Sequence, residues 1–276
     1  MLRALSPSYP VFCLRPHVIA ATAKRFLDLF PGRVLYAVKC NPHPLVLAAL
    51  YKAGIRHFDT ASLPEIAQVR ESLPDAACYF MHPVKGRAVI GTASRVYNID
   101  QYVIDHPKEL EKILDETDGG EGLTIFVRIT TPPAQGTLYH LASKFGASVD
   151  AAAAMLREAK SRGCQVGIAF HVGSQCLDPD AYRVAIDLAA QAVEKAQVEL
   201  HALDVGGGFP AQYLGTNMPP LEEYMRTIED AAKSLENAKD VKPADLSALQ
   251  ALLPTTLGTY LQNLMGYPVV TTGLLM

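Results

Sequence analysis

Long apolar runs and blocks of like charge are both missing from this sequence. No stretch approaches the ~18 uninterrupted apolar residues that a membrane-spanning helix requires. No apolar core follows the single arginine near the first residue, as a secretion signal would require. The 276 residues carry a formal net charge of −3 and contain no basic run. We therefore expect no membrane segment and no binding to nucleic acid or to an anionic membrane.

Cysteine is sparse and irregularly spaced. The five cysteines form no C-x-x-C pair, and the eight histidines form no H-E-x-x-H motif. The sequence therefore predicts neither a disulfide framework nor a structural zinc site, and we expect no bound metal. This cysteine usage fits a protein of the reducing cytoplasm.

Apolar runs rich in β-branched residues alternate with longer helical patterns, which is typical of a parallel α/β fold. The composition, 49% hydrophobic and 19% charged, is that of an ordinary globular enzyme. A first strand is predicted at 10–14, and seven more at 33–39, 55–59, 77–82, 94–99, 123–129, 164–172 and 199–205. Seven β/α units favour an eight-stranded β/α barrel with its site at the carboxyl ends of the strands. An open doubly wound sheet is the alternative, because periodicity does not separate the two.

Polar residues and glycines are concentrated where the predicted strands end. Lys39 ends the apolar run 34–38, His171 and Ser174 end a later strand, and three glycines at 206–208 end the next. Such glycines let backbone N–H groups approach an anion closely, as the phosphate sites of barrels require. A surface lysine and an ordinary tight turn are the plain alternatives for these features.

The glycine run also matches the motif of a different kind of site, which binds a dinucleotide. Gly206, Gly208 and Ala211 satisfy the G-x-G-x-x-A fingerprint of dinucleotide-binding folds. We reject this interpretation because Pro210 interrupts the motif, the motif comes late in the strand series, and no strand-end acid follows about 20 residues on.

Six motifs follow one another along the chain. They are YAVKCN (36–41), FDTASLPEI (58–66), MHPVK (81–85), VRITT (127–131) with SKFGA (143–147), FHVGSQ (170–175) and DVGGGFP (204–210). In this order and spacing they resemble the pyridoxal-phosphate-dependent decarboxylases of the ornithine decarboxylase group, although His82 stands where asparagine is usual. The likeness covers about 8–237 and implies an alanine-racemase-like (β/α)8 barrel.

The resemblance also implies a cofactor, pyridoxal 5'-phosphate, and a reaction, the decarboxylation of a basic amino acid, with ornithine expected as substrate and putrescine as product. Lys39 and His171 are the expected catalytic residues: the lysine would bind the cofactor covalently, and the imidazole would stack on its ring. The other expected cofactor-binding residues are Asp59, Arg128, Ser174, Gly206, Gly207 and Gly208.

Alternatives stay open for several of these side chains. Arg128 could be a paired core ion, Asp59 a helix cap and His171 a hydrogen-bonded core histidine. Glu65 is a weaker candidate for support of the site. The chemistry also requires a partly neutral Lys39, which burial and a nearby cation would favour.

The carboxyl-terminal part departs from the family pattern. We divide the chain into a barrel domain at 1–237 and an atypical tail at 238–276, which replaces the eighth strand with its E-P-G-R motif and the β-rich domain that follows. Two helices are predicted at 243–253 and 255–265, and a strand at 267–272. We expect a truncated or fragmentary product that lacks the domain completing the family's homodimer. It is either a decarboxylase or a cofactor-binding barrel without turnover.

Overall fold

The architecture is a closed barrel of parallel strands surrounded by helices, seen in a computed structural model that describes residues 8, 13–133, 144–212, 217–237 and 250–255. The strands are β1 (Arg33–Ala37), β2 (His57–Thr60), β3 (Ala77–Phe80), β4 (Gln101–Ile104), β5 (Thr124–Arg128), β6 (Gln165–Ala169), β7 (Ala202–Asp204) and β8 (Gln250–Thr255). The helices are α1 (Pro16–Leu29), α2 (Pro44–Lys52), α3 (Leu63–Ser72), α4 (Arg87–Tyr97), α5 (Pro107–Glu116), α6 (Val149–Ser161), α7 (Asp180–Ala196) and α8 (Leu221–Asn237). A short 3-10 helix, Val38–Cys40, follows β1.

Each strand pairs in parallel with the next, and β8 pairs with both β7 and β1. The predicted (β/α)8 barrel is therefore confirmed, and the open-sheet alternative is wrong. No helix in the described part of the chain is long and apolar enough to cross a membrane. The predicted strand at 10–14 lies largely outside the described residues, and Cys13 and Leu14 form no strand.

The eighth strand lies elsewhere than the sequence pattern predicts. The helix predicted at 243–253 is wrong at its end, because β8 begins at Gln250 and continues through Pro254. The edges of β7 and β1 supply hydrogen-bond partners on both sides, and this long-range pairing outweighs local helical periodicity. The helix predicted at 255–265 is wrong at its first residue, since Thr255 ends β8; the rest of it and the strand predicted at 267–272 lie outside the described residues. The division of the chain at residue 237 stays a prediction.

The strand predicted at 94–99 is also wrong. Those residues form the end of α4, which closes at Asn98 in a left-handed conformation (φ 53°), and β4 follows three residues later. The helix buries Ile90 and Ala93, which lie three residues apart on one face, while Val96 is 62% exposed. The burial of that face determines the helix, and β-branched Val96 gives a misleading local signal for a strand.

Alternate residues along the strands build two apolar layers. Leu35 faces the barrel interior, where it packs with the buried side chains of Tyr79, Met81, Val103, Phe126, Ala169 and Ala202. Its neighbours Val34 and Tyr36 face the surrounding helices. This period of two fills the barrel with side chains, so that only the carboxyl ends of the strands are left to form a cavity.

Candidate active site

A cavity opens at the carboxyl ends of the strands. It encloses about 450 Å³, counting the solvent at its open mouth. Its lining residues come from seven of the eight strands or the segments directly after them: Ala37, Lys39, Asp59, Met81, Val103, Arg128, Ala169, Phe170, His171, Asp204 and Gly206. The barrel thus brings together five of the eight residues that the resemblance indicates.

Lys39 and Asp59 form a pair at the mouth of this cavity. The lysine lies in the 3-10 helix after β1, and the aspartate lies in the neighbouring strand β2, where Ala37 pairs with it in register. Lys39 Nζ is 3.7 Å from Asp59 Oδ2. The lysine side chain is 58% exposed and the aspartate side chain 4%. The amine therefore reaches the open space, while the carboxylate is fixed beneath it.

The surroundings of Lys39 do not favour the partly neutral lysine that was expected. The carboxylate of Asp59 raises the pKa of Lys39 above its usual value, and this effect outweighs burial and the repulsion from Arg128, which both lower it. An opposite charge within about 4 Å favours the protonated amine. Lys39 is therefore an ammonium group at neutral pH until some change in the site removes its proton.

Asp59 does not cap a helix. Its Oδ1 is buried and has no hydrogen-bond partner in the described part of the chain. Ser62 is the N-cap residue of α3, and just before it the Ala61 N–H donates a hydrogen bond to Glu65 Oε2 at 2.8 Å. Glu65 thus supports the start of this helix, and burial raises its pKa. Burying a carboxylate oxygen that accepts no hydrogen bond costs free energy. Asp59 is therefore the residue that points most directly to ligand binding in this cavity.

His171 and Arg128 lie on the opposite side of the cavity from β1. His171 Nδ1 accepts a hydrogen bond from the Gly173 N–H at 3.0 Å, which fixes the proton on Nε2. Burial lowers the pKa of His171 to about 3, and the charges of Arg128 and Lys39 add to the effect. The imidazole is therefore neutral, as a ring that stacks on an aromatic ligand should be.

Arg128 ends β5 and packs its guanidinium over the ring of Phe145 at 5.4 Å. Burial lowers its pKa, and the charges of Asp204, Asp105 and Asp59 oppose that effect. No carboxylate among the described residues is within ion-pair distance of it, so the interpretation as a paired core ion finds no support there. Arg128 also lines the cavity and so brings a positive charge to its wall.

Asp204 was missed as a site residue by the sequence reasoning. It ends β7, is 2% exposed and lines the same cavity. Its Oδ1 accepts a hydrogen bond from the Gly206 N–H at 2.9 Å. Burial raises the pKa of Asp204 well above its usual value, and the nearby Asp59 adds to this. The signal that identified Lys39, a charged residue at the end of an apolar strand, could have identified Asp204 as well.

Two of the three glycines after β7 lie at positions that only glycine fits. Gly206 has a φ of +68°, and a Cβ there would lie 2.1 Å from the carbonyl oxygen of Phe170. Gly208 has a φ of +116°, and its Cβ would lie 2.3 Å from the carbonyl oxygen of Gly173. Only Gly206 lines the cavity; Gly207, Gly208 and the half-buried Ser174 lie beside it. Their contact with a cofactor stays a prediction.

These residues fit a phosphate-bearing aromatic aldehyde such as pyridoxal phosphate. Lys39 supplies an amine, Asp59 a carboxylate oxygen that lacks a partner, and His171 a neutral ring. A tight turn of glycines lets backbone N–H groups approach an anion closely.

The family comparison points to the same chemistry. Residues 17–243 match the model of the pyridoxal-dependent decarboxylases, pyridoxal-binding domain. The lysine/ornithine decarboxylase of Selenomonas ruminantium is 36% identical over 182 residues, which are 64% of this chain and 45% of that protein. The chain thus spans less than half the length of this curated relative.

Solved structures share the fold as well. The arginine decarboxylase of Paramecium bursaria Chlorella virus superposes with a TM-score of 0.77 at 26% identity, covering 92% of this chain and 66% of that one. A lysine decarboxylase from Selenomonas ruminantium, solved with PLP and cadaverine, gives a TM-score of 0.74 at 26% identity, covering 93% of this chain and 64% of that one.

Proposed function

We propose that this chain, which belongs to the family of pyridoxal-dependent decarboxylases, binds pyridoxal phosphate at Lys39 and acts in the decarboxylation of a basic L-amino acid. The observation that carries the proposal is the arrangement at the cavity mouth. There an exposed amine lies 3.7 Å from a buried carboxylate that has an oxygen without a donor.

Lys39 would hold the cofactor covalently, and its ammonium must first lose a proton to do so. Asp59 raises the pKa of Lys39, whereas burial and Arg128 lower it, so the balance of these effects determines how readily the amine becomes neutral. The carboxylate of Asp59, 3.7 Å from Lys39 Nζ, would favour a positive charge on that nitrogen.

His171 would lie against the face of the ring. Its hydrogen bond from the Gly173 N–H fixes the imidazole plane, and its low pKa keeps the ring uncharged. Ser174 and the glycines at 206–208 would hold the phosphate. When bound, pyridoxal phosphate accepts the electron pair that the departing carboxylate leaves on the amino acid. The protein contributes binding, orientation and the exclusion of water from the cavity floor, which the apolar barrel interior supplies.

Ornithine is the proposed substrate and putrescine the proposed product. Relatives and neighbours of this chain include ornithine, lysine and arginine decarboxylases, which supports a basic amino acid as the substrate class. We propose a cytoplasmic location, because none of the five cysteines, all of which lie in the described part of the chain, forms a disulfide.

Carbon dioxide release tests the proposal. The full chain, loaded with pyridoxal phosphate, should release carbon dioxide from ornithine, lysine or arginine above the level of a Lys39→Ala control. Lys24→Ala, on the exposed face of α1, is a matched control that should retain the wild-type rate. Release that is the same with Lys39→Ala as with the wild type would refute the assignment of the lysine.

A second candidate is a barrel that binds the cofactor without turnover. Strand β8, whose sequence is QALLPT, brings neither an acid nor an arginine to the ring of strands, whereas the family motif in this position is E-P-G-R. Binding with an absorbance band that Lys39→Ala abolishes, but with no carbon dioxide from any of the three amino acids, would favour this candidate.

A further inference from the structure

We propose that Phe145 is a positioning residue that holds the Arg128 guanidinium at the cavity wall, where its positive charge meets an oxygen anion of the bound cofactor. The inference rests on the proposed function, since Arg128 lines the same cavity as Lys39. Phe145 is not among the residues that line this cavity, so it would act through the arginine.

The ring of Phe145 is the contact that orients the guanidinium. The guanidinium carbon of Arg128 lies 5.4 Å from the centroid of this ring, within the range of an attractive cation–π contact. Among the described residues, no hydrogen bond or ion pair holds the Arg128 side chain. The carboxylates of Asp204, Asp105 and Asp59 act on its charge from beyond ion-pair distance.

An aromatic partner has a different consequence from an acidic one. A carboxylate in contact with Arg128 would orient the guanidinium but would also neutralise its charge. The face of an aromatic ring attracts a cation through its quadrupole and carries no net charge. The arginine side chain is half-buried, and the ring restricts the rotamers it would otherwise sample. Arg128 is therefore held in place with its full positive charge available to a ligand.

Backbone contacts fix the ring relative to the arginine. The Ala147 N–H, two residues after Phe145, donates a hydrogen bond to the Arg128 carbonyl oxygen at 2.8 Å. The Gly146 N–H donates to Asp105 Oδ2 at 3.1 Å. These bonds tie the segment that carries the ring to the ends of β4 and β5, and β5 carries the arginine. The ring and the guanidinium are thus built on one frame.

His82 contacts the same ring. Its imidazole lies 5.8 Å from the Phe145 ring, centroid to centroid, with the two planes at 75°, an edge-to-face arrangement that aromatic pairs favour. The imidazole is fixed in turn, because its Nδ1 lies 2.7 Å from the Val84 carbonyl oxygen. His82 stands where the family motif has asparagine. In this chain the histidine therefore gives Phe145 a ring contact that asparagine would not provide.

A double-mutant cycle separates positioning of the arginine from general support of the fold. Absorbance titrations of the full chain with pyridoxal phosphate and with pyridoxal give dissociation constants for the wild type, Phe145→Leu, Arg128→Met and the variant with both changes. Leucine keeps an apolar side chain without an aromatic face, whereas Phe145→Tyr keeps that face. The control is Tyr51→Leu, which removes another cation–π pair, with Arg56 at 4.1 Å, outside the cavity lining.

We expect Phe145→Leu to weaken the binding of pyridoxal phosphate about two- to fivefold, the loss typical of one cation–π contact. Phe145→Tyr should retain the wild-type affinity, and so should Tyr51→Leu. In the Arg128→Met background, Phe145→Leu should cause no further loss. A loss confined to pyridoxal phosphate would identify the anion as the phosphate. An equal loss for both ligands would identify it as the phenolate oxygen that both carry.

Three results would overturn the inference while the proposed function stands: no loss of affinity in Phe145→Leu, the same loss in Phe145→Tyr, or an undiminished loss in the Arg128→Met background. Phe145→Met takes the place of Phe145→Leu if the latter does not fold.

The same cycle on the free energy of unfolding, measured by urea denaturation, needs no ligand. It should show a favourable coupling between the ring and the guanidinium, and it decides the question if Arg128→Met does not bind the cofactor. Zero coupling would overturn the inference. A wild-type chain that shows the coupling but binds neither ligand would instead refute the proposed function, and with it the anion that we assign to Arg128.

Discussion

Replacing Asp59 by asparagine tests the ion pair that sets the charge of Lys39. The negative charge lies 3.7 Å from the ammonium nitrogen. At this distance the attraction between unit charges is about 1.1 kcal/mol in water and about 4.5 kcal/mol at an effective dielectric constant of about 20. Because the lysine side chain is 58% exposed, the value near the water limit applies. Asp59→Asn should therefore lower the pKa of Lys39 and make its ammonium form about 1 kcal/mol less favourable relative to the neutral amine.

The sign follows from which form the carboxylate stabilises. Asp59 favours the ammonium over the neutral amine, so its removal makes Lys39 easier to deprotonate. Competitive acetylation at a series of alkaline pH values, with mass spectrometry of the peptide that contains Lys39, reports this pKa. Asp75→Asn is the control, because Asp75 is exposed and contacts Tyr51 instead. An unchanged or higher pKa of Lys39 in Asp59→Asn would refute the reasoning.

Three further perturbations test the frame around the site. Gly206→Ala should lower the free energy of unfolding by about 2 kcal/mol or more and abolish cofactor binding, because its Cβ would lie 2.1 Å from a backbone carbonyl oxygen at a φ of +68°; thermal unfolding and pyridoxal phosphate titration measure these losses. Lys85→Met should lower the free energy of unfolding, measured by urea denaturation, by about 3–5 kcal/mol. Lys85 Nζ is 3.1 Å from Glu109 Oε1, and both side chains are buried. Acidification from pH 6.5 towards 4 should also lower the free energy of unfolding, by up to about 1.4 kcal/mol per pH unit for each of His57 and His171. Urea titrations at several pH values measure this loss. Burial lowers the pKa of His57 to about 4 and contributes most to lowering that of His171 to about 3, so the unfolded chain binds more protons in this range.

Each of these has a matched comparison. Gly119→Ala introduces a Cβ with no atom within 4 Å, so it should cost less than Gly206→Ala. Lys112→Met removes the other partner of Glu109, at 2.6 Å but 19% exposed, and should cost less than Lys85→Met. His57→Gln should halve the acid dependence. Equal losses of unfolding free energy for the two glycine variants or for the two lysine variants would contradict the argument from burial. An unchanged dependence of that free energy on pH in His57→Gln would contradict it as well.

The location of the site could be predicted because it depends on strand ends. Lys39, Asp59, Arg128 and His171 are far apart in the sequence, but parallel strands bring their carboxyl ends to one rim. An apolar run that ends in a polar residue is therefore enough to place that residue near the others. The glycine run in the sequence likewise predicted a tight turn, and Gly206 has a backbone conformation that other residues rarely adopt.

What the sequence could not supply is long-range. The strand at Gln250–Thr255 forms because it pairs with the edges of β1 and β7. No local sequence pattern contains that information. The charge of Lys39 depends on a distance to Asp59 that only the folded barrel defines. The hydrogen bond from the Tyr182 hydroxyl to the Gly207 carbonyl, at 3.1 Å, also joins a helix to a loop that is distant in sequence, at a position where an apolar ring would fit the helical pattern equally well.

Reduction with borohydride in the presence of pyridoxal phosphate tests the central claim most directly. The reagent fixes the cofactor permanently on whichever amine holds it, and peptide mass spectrometry then identifies that amine. The account predicts a single labelled lysine, Lys39, with labelling lost in Lys39→Ala and suppressed by competing inorganic phosphate. Labelling of a different lysine, or of none, would contradict it.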